Sequence, residues 1–536
     1  MTTRQEDFLD DEVATVTYGN DDDSVVVIIG SGAGGGTLAN ELAQRGIDVV
    51  VIEAGPRFRE TDFQNDEYAM YDMLTWTDPR SCTGSSPIAK HFSDSPTWVC
   101  KGVGGTTLHW AAMTPRFQAH EFKTRTTYGA IAGANNWDWP LNLSDLEPFY
   151  DRAEDKMGVT GTHGVPMPPE NNNFKVIKTG GRRVGYSQID TNSVAINTEP
   201  RDGRNGCDQI GFCQQGCRSG AKWSTMNSEI PKAEATGHCE VRPNCMALQI
   251  EQGSDGRVSG VLYADENGNR QLQKARIVCV AGNSIETPRL LLNSESSLSP
   301  DGLANSSGQV GKNYMRHMFG FVYGQFERPV NMHRGITVAG IIRDEAEFND
   351  SRGFVGGYYF LASSLGLPYF SAFFDPGAWG AEHTRWIDSY NHTSSICVLG
   401  EDMAMESNRV SLHATRKDQF GLPIPNLHLD DHPNELAMKN HGYKQSVEIF
   451  KAAGATRVFE GPPLPASHNL GTCRMSAEAS DGVVNSFGRT HDVSNLFISD
   501  GSQFTSSMAG NPTLTIVALA IRQAEHIANK MQNNEV

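Results

Sequence analysis

The chain has 536 residues, 38% of them hydrophobic and 20% charged, with a formal net charge of −18. That length supplies a large core and two or more domains, and the composition is that of a soluble globular protein. The acidic balance argues against a nucleic-acid or anionic-membrane surface, and ten cysteines over this length are too sparse for a disulfide scaffold.

Residues 1–23 are acidic and are expected to form a loose arm. They lack an apolar core, so no secretory signal of the chain's own is expected. The longest apolar runs, such as LTIVALAI at 514–521, fall far short of the roughly 20 residues that cross a bilayer. Regular structure begins at Ser24–Ile29 (SVVVII), a continuous apolar run that reads as a buried parallel strand. GSGAGGG follows at 30–36, and then TLANELAQRG predicts a short helix with Leu38, Leu42 and Ala43 on one face and Gly46 as its stop. Ile47–Ile52 (IDVVVI) is a second buried strand, ending at Glu53.

Gly30, Gly32 and Gly35 make a GxGxxG pattern inside this strand–turn–helix–strand unit. The first glycine permits the tight turn, the second admits a pyrophosphate, and the third lets helix and strand pack closely. The helix N-terminus then offers free N–H groups to phosphate, and Glu53 ends the second strand where a carboxylate accepts from a ribose hydroxyl. The unit predicts dinucleotide binding and leaves FAD and NAD both open.

Further along, GCDQIGFCQQGC places Cys207, Cys213 and Cys217 in one glycine-rich polar loop. A disulfide with a spare thiol, a zinc site and an iron–sulfur cluster are all open, although zinc favours paired CxxC spacing and four ligands. Cys279, in the apolar run ARIVCV, reads as an ordinary buried cysteine. Residues 238–280 read as an antiparallel meander with turns at GSDG and ENGN, leading into a strand at Ala275–Val280. From about 320 to 460, short runs and many aromatics predict a second, sheet-rich domain. Leu496–Ser499 reads as a strand entering an Asp500–Gly501 turn, and 511–529 as a helix.

Four segments now resemble the glucose–methanol–choline family of FAD oxidoreductases: the GxGxxG unit; GVGGTTLHW at 102–110; AGNSIETPRLLLNS at 281–294, which departs from the family's usual Ser-Gly ending; and HNLGTCRM, NLFISDGSQF and NPTLTIVALAIR between 468 and 522. The resemblance implies an α/β fold, with a Rossmann-like FAD-binding domain and a second, antiparallel-sheet substrate domain. It divides the chain into an FAD domain at 24–60, 96–125, 225–320 and 460–536 and a substrate domain at 61–95, 126–224 and 321–459, with the cysteine loop at 206–218. It assigns the active-site base to His468 and the second active-site position to Asn511; of the two, only the imidazole titrates near neutrality. Gly104, Gly105 and Thr106 are expected against the flavin, with His109 as the residue some relatives bond to it. Asp500 and Gly501 are expected beside the same cofactor.

The cysteine spacing is similar to that of the catalytic subunits of bacterial sugar dehydrogenases. This implies a cluster on Cys207, Cys213 and Cys217, of the 3Fe-4S type, or of four irons if Cys239 or Cys245 folds back. The expected activity is hydride transfer from a sugar or glycoside hydroxyl to FAD, with electrons leaving through the cluster to a cytochrome c partner. A small signal-bearing subunit is expected beside it, giving a periplasmic location by co-export, or a cytoplasmic one. Two alternatives stand. One is a dehydrogenase or oxidase of an aromatic or terpenoid alcohol, prompted by GGYYFLASS and PYFSAFFDPGAW. The other is an electron-transfer subunit with no substrate, which His468 with Asn511 argues against.

Overall fold

The computed structural model describes residues 16–364 and 379–536. Most of the acidic arm and most of PYFSAFFDPGAW (368–378) therefore lie outside the described residues. The end of the arm is not loose. The Tyr18 hydroxyl donates to Asp48 at 2.6 Å, its backbone N–H donates to Glu240, and Asn20 meets Gln271 and Arg242.

A five-stranded parallel sheet runs in the order Leu496–Ile498, Ile277–Val280, Val26–Ile29, Val49–Ile52, Cys239–Arg242. Its central strands are apolar at every position because both faces are covered. Val26, Ile28, Val49, Val51, Ile277 and Cys279 pack under Leu38 and Leu42 of the helix Ala33–Ala43 and under Ala524 and Ile527 of the C-terminal helix Thr513–Gln532. Val27, Val50, Val278 and Val280 face the opposite layer.

One strand corrects the sequence reading. Cys239–Arg242 pairs parallel with Val49–Ile52 and belongs to this sheet. The antiparallel meander starts only afterwards, as Met246–Gln252, Val258–Ala264 and Arg270–Lys274. Its turns are those expected, with Gly256 and Gly268 at φ of 83° and 81°.

The second large sheet has six strands, Arg457–Glu460, Met318–Gln325, Thr393–Gly400, Tyr358–Ser363, Val338–Ile342 and Ile189–Thr191 in that order, all antiparallel. One face is roofed by the helices Asn172–Arg183 and Pro433–Ala453, through Phe174, Ile177, Met438, Ile449 and Phe450. The 21-residue helix Pro433–Ala453 was not foreseen in a segment read as sheet. The other face looks into a cavity shared with the parallel sheet.

Candidate active site

The cavity measures about 930 Å³ and is lined by Gly30–Gly34, Ile52–Ala54, Val280–Asn283 and the Asp500–Gly501 turn. These lie at the carboxyl ends of the parallel strands, where α/β sheets bind ligands. Gly30 has φ +96°, and a Cβ there would lie 2.5 Å from the Ala281 carbonyl oxygen. At Gly35 a Cβ would lie 2.0 Å from the Gly30 carbonyl oxygen, so this position secures helix–strand packing. A Cβ on Gly32 would meet nothing nearer than the Gly105 Cα at 3.9 Å, so this glycine leaves a clear approach to backbone N–H groups. The Glu53 carboxylate accepts from the Ser31 N–H, the Ser31 hydroxyl and the Gly55 N–H at 3.0, 2.7 and 2.9 Å. It is fixed at the cavity wall, and burial raises its pKa. This set fits a dinucleotide.

The loop 102–110 is laid over the GxGxxG turn by a hydrogen bond from the Gly104 N–H to the Ser31 hydroxyl, 3.0 Å. Gly105, Thr106 and His109 line the cavity; Gly104 and Gly35 do not. His109 does not pack on Trp110, its neighbour in sequence. It stacks on Trp98, with ring centres 4.2 Å apart and planes at 12°. Trp110 instead meets Trp223 edge-on and donates to its carbonyl. The His109 Nε2 is buried without a hydrogen-bond partner, and burial, helped by Lys222, pushes the imidazole down to about 3. A neutral ring nitrogen with nothing to bond, on the wall of a flavin-sized cavity, suits attachment to a flavin. Denatured protein run on a gel should therefore show a band fluorescent under ultraviolet light; a dark band, with all flavin in the acid supernatant, would rule attachment out.

His468 and Asn511 are brought together. The Asn511 Nδ2 lies 3.3 Å from the His468 Nε2. Sequence reasoning missed a third member: the His468 Nδ1 lies 2.9 Å from the Nδ1 of His317, with the rings edge-to-face. His317 is 1% exposed. The carbonyls of Gly510, Met508 and Ser507 surround its ring and favour a proton there, although none closes a full hydrogen bond with Nε2. One set of tautomers suits these neighbours: a proton on His317 Nε2, a proton on His468 Nδ1 donated to His317, and a lone pair on His468 Nε2 facing Asn511 and the cavity. The neighbouring Asn469 is anchored by the Thr97 and Tyr314 hydroxyls at 2.9 and 2.5 Å, which fixes the backbone that carries His468.

Burial pushes His468 down to about 4, and burial with the adjacent His468 pushes His317 well below its usual range. A base with a lowered pKa is already free at neutral pH. kcat/KM should accordingly stay level through pH 7 and fall only below the ordinary histidine value of about 6.5, toward 4, as His468 takes a proton. A break at or above 6.5 would contradict this assignment.

The Asp500 carboxylate accepts from the Asn283 N–H at 2.9 Å and from Thr287, and so fastens the first turn of the helix Asn283–Asn293. Asn511, Pro512, Thr513 and Ile516 bring the start of the 20-residue C-terminal helix to the same wall, with the positive end of its dipole.

The three cysteines of the glycine-rich loop converge: Cys213 and Cys217 add to the burial that raises the pKa of Cys207, and Cys217 adds to that of Cys213; Gln214, between them, reaches the cavity. All ten cysteines of the chain are free thiols. The three sulfurs do not form a set all within 4.8 Å of one another; among the described residues, Asp151, Glu154 and His163 form the one such set. Tetrahedral zinc would draw its thiolates to roughly 3.8 Å from each other. Cys239 lies in the parallel sheet and Cys245 on the cavity wall. The fourth thiol of this neighbourhood is Cys100, which bears on Lys222 together with Cys217 and Cys213.

Lys222 is a second residue that sequence reasoning missed. It is 2% exposed, and burial pushes it down to about 8. Its Nζ donates to the carbonyls of Leu108 and Trp110, each at 2.9 Å, and to that of Cys213. Three acceptors match the three N–H bonds of an ammonium. The lysine thus ties the loop that carries His109 to the loop that carries the cysteines.

Family models described as GMC oxidoreductase match residues 82–319 and 404–520, and a model for an NAD(P)-binding Rossmann-like domain matches 28–70. The chain is similar to 2-methyl-1,2-propanediol dehydrogenase of Mycolicibacterium austroafricanum, 32% identical over 94% of this chain and 95% of the relative. It is 30% identical to the fructose dehydrogenase large subunit of Gluconobacter japonicus, over 94% of this chain and 97% of that one. Among solved structures, a pyridoxine 4-oxidase from Mesorbium loti shares the fold, with a TM-score of 0.68 and 17% identity over 95% of this chain and 99% of that one. The chain belongs to the GMC oxidoreductase family and is an FAD-dependent oxidoreductase with a Rossmann-like domain and an antiparallel-sheet domain.

Proposed function

We propose that this protein is a dehydrogenase that oxidises an alcohol at His468 and Asn511 and releases electrons through an iron–sulfur cluster on Cys207, Cys213 and Cys217. The observation that carries the reading is the chain His317–His468–Asn511, which opens into the cavity that the GxGxxG turn lines. FAD, when bound, supplies the acceptor for the hydride that leaves the hydroxyl-bearing carbon. The chain's own residues handle the proton. The His468 Nε2 accepts it from the hydroxyl, the Asn511 Nδ2 donates to the hydroxyl oxygen, and His317 holds the imidazole in the tautomer that leaves Nε2 free. The start of the C-terminal helix favours negative charge arriving at the wall it lines.

Gly30, Gly32 and Glu53 would hold the dinucleotide, with Gly35 packing the helix onto the strand behind it, and Gly105, Thr106, Asp500 and Gly501 would lie beside its ring system, with Gly104 turning their loop and His109 bonded to the flavin. The proposed division is an FAD domain at 24–60, 96–125, 225–320 and 460–536, with the remainder as substrate domain. A 3Fe-4S cluster suits three thiolates and a partner that takes electrons singly. A cytochrome c acceptor and a signal-bearing subunit belong to the same reading, with co-export to the periplasm; no helix among the described residues is long and apolar enough to cross a membrane. The similarity to a fructose dehydrogenase supports a sugar substrate, and the similarity to a propanediol dehydrogenase supports a smaller, less polar alcohol.

Anaerobic addition of a panel of alcohols and sugars tests the activity. At least one member should bleach the flavin absorbance without oxygen. Failure of every member, in protein whose flavin dithionite does reduce, would refute a dehydrogenase.

A further inference from the structure

The wall opposite the cofactor side is the open face of the six-stranded sheet. Side chains alternate along a strand, so residues two apart share a face. Phe319, Phe321, Val338, Leu361, Cys397 and Leu399 all line the cavity. They are neighbours across the ladder, Phe319 opposite Leu399 and both Phe321 and Leu361 opposite Cys397. The alternate residues Val322, Phe360, Ile396 and Val398 lie under the roofing helices. An antiparallel sheet facing water on one side alternates apolar with polar. This one is apolar on both sides, and its second side packs in part against Met113, Trp386 and Ala509 and in part lines the cavity. Ser363 is the one polar lining side chain on the sheet among the described residues. The loop beside His468 continues the surface with Pro462, Pro463, Leu464 and Pro465. The charged lining residues Glu53, Glu286, Arg289 and Asp500 all belong to the cofactor side.

Resting on the dehydrogenase reading above, we infer that the substrate is an alcohol on an uncharged hydrocarbon body, alkyl or aryl-alkyl, rather than a sugar. The hydroxyl reaches the His468 Nε2 and Asn511 at one end of this wall, and the hydrocarbon lies along Phe319, Phe321, Leu361 and Leu399. Each methylene moved from water onto such a wall strengthens binding about fourfold. A sugar in the same place would strip water from several hydroxyls and find few partners for them.

The test uses the purified, flavin-loaded protein and two anaerobic series: 1-alkanols from ethanol to hexanol, and glucose with fructose. The efficiency of flavin bleaching should rise about fourfold per methylene, and hexanol should far exceed both sugars. A flat alkanol series, or a sugar equal to hexanol, overturns the inference while leaving the dehydrogenase reading intact. No bleaching by either series overturns both. Phe319→Ser, at a half-buried lining position, should lower the ratio of hexanol to ethanol efficiency severalfold, a ratio that a general loss of stability does not change. An unchanged ratio would remove the sheet face from substrate recognition.

Discussion

His468→Ala should retain its flavin and lose turnover by about 100-fold or more, the usual scale for a lost general base. The flavin stays because its expected contacts are the glycines of 30–35, Glu53 and the 102–110 loop, none of which uses the imidazole. Turnover falls because neither neighbour replaces the imidazole as a base. The Asn511 amide cannot titrate near neutrality, and His317 meets His468 through Nδ1 with its ring 1% exposed. The loss should fall on the rate of flavin reduction in stopped flow, with KM little changed. Wild-type reduction rates in His468→Ala would remove His468 from the mechanism. A His317 variant tests positioning, because it should lower the same rate through loss of the ring that meets the His468 Nδ1.

Cys213→Ser should purify with flavin and without iron. Wild-type protein, prepared without oxygen, should hold about three or four irons per flavin on its thiolates. The serine keeps the loop backbone, including the carbonyl that accepts from Lys222. Alcohol should still bleach the flavin, since that step uses His468 and Asn511. Electron delivery to a haem protein should collapse, while small dyes that reach the flavin directly continue to work. Two results would sink the reading: wild-type protein with no iron, or a variant that reduces its haem partner at the normal rate. The first would return the three thiols to a disulfide or a zinc site.

What could be read from the chain alone follows the range of the interactions involved. The strand–turn–helix–strand unit from Val26 to Ile52 was legible because its rules act within about thirty residues: apolar strands, three spaced glycines and an acid at the end. The helix Pro433–Ala453 had local signals that were passed over, with Pro433 at its first position, a capping box between His432 and Glu435, and Gly454 at φ +94° as its stop. Cys239–Arg242 was misread because a four-residue strand takes its identity from its partner, and Val49–Ile52 lies far away in sequence. His468 and Asn511 were legible only through family likeness. His317 and Lys222 carry no motif; a histidine before an apolar strand and a lysine after SGA look like any others. Their place is set by contacts more than a hundred residues long.

The buried ammonium of Lys222 also bears on motion. Hydrogen bonds to a charged group contribute about 1.5–3 kcal/mol each, and a charge stranded in the interior costs more than that. The loop at Leu108–Trp110 cannot swing outward without abandoning two of the three acceptors, and the loop at Cys213 cannot without abandoning the third. The two loops are therefore tied together, and any fluctuation that parts them first has to break a shared clasp. On the proposed reading, the separation between flavin and cluster is held by a side chain that carries no electrons.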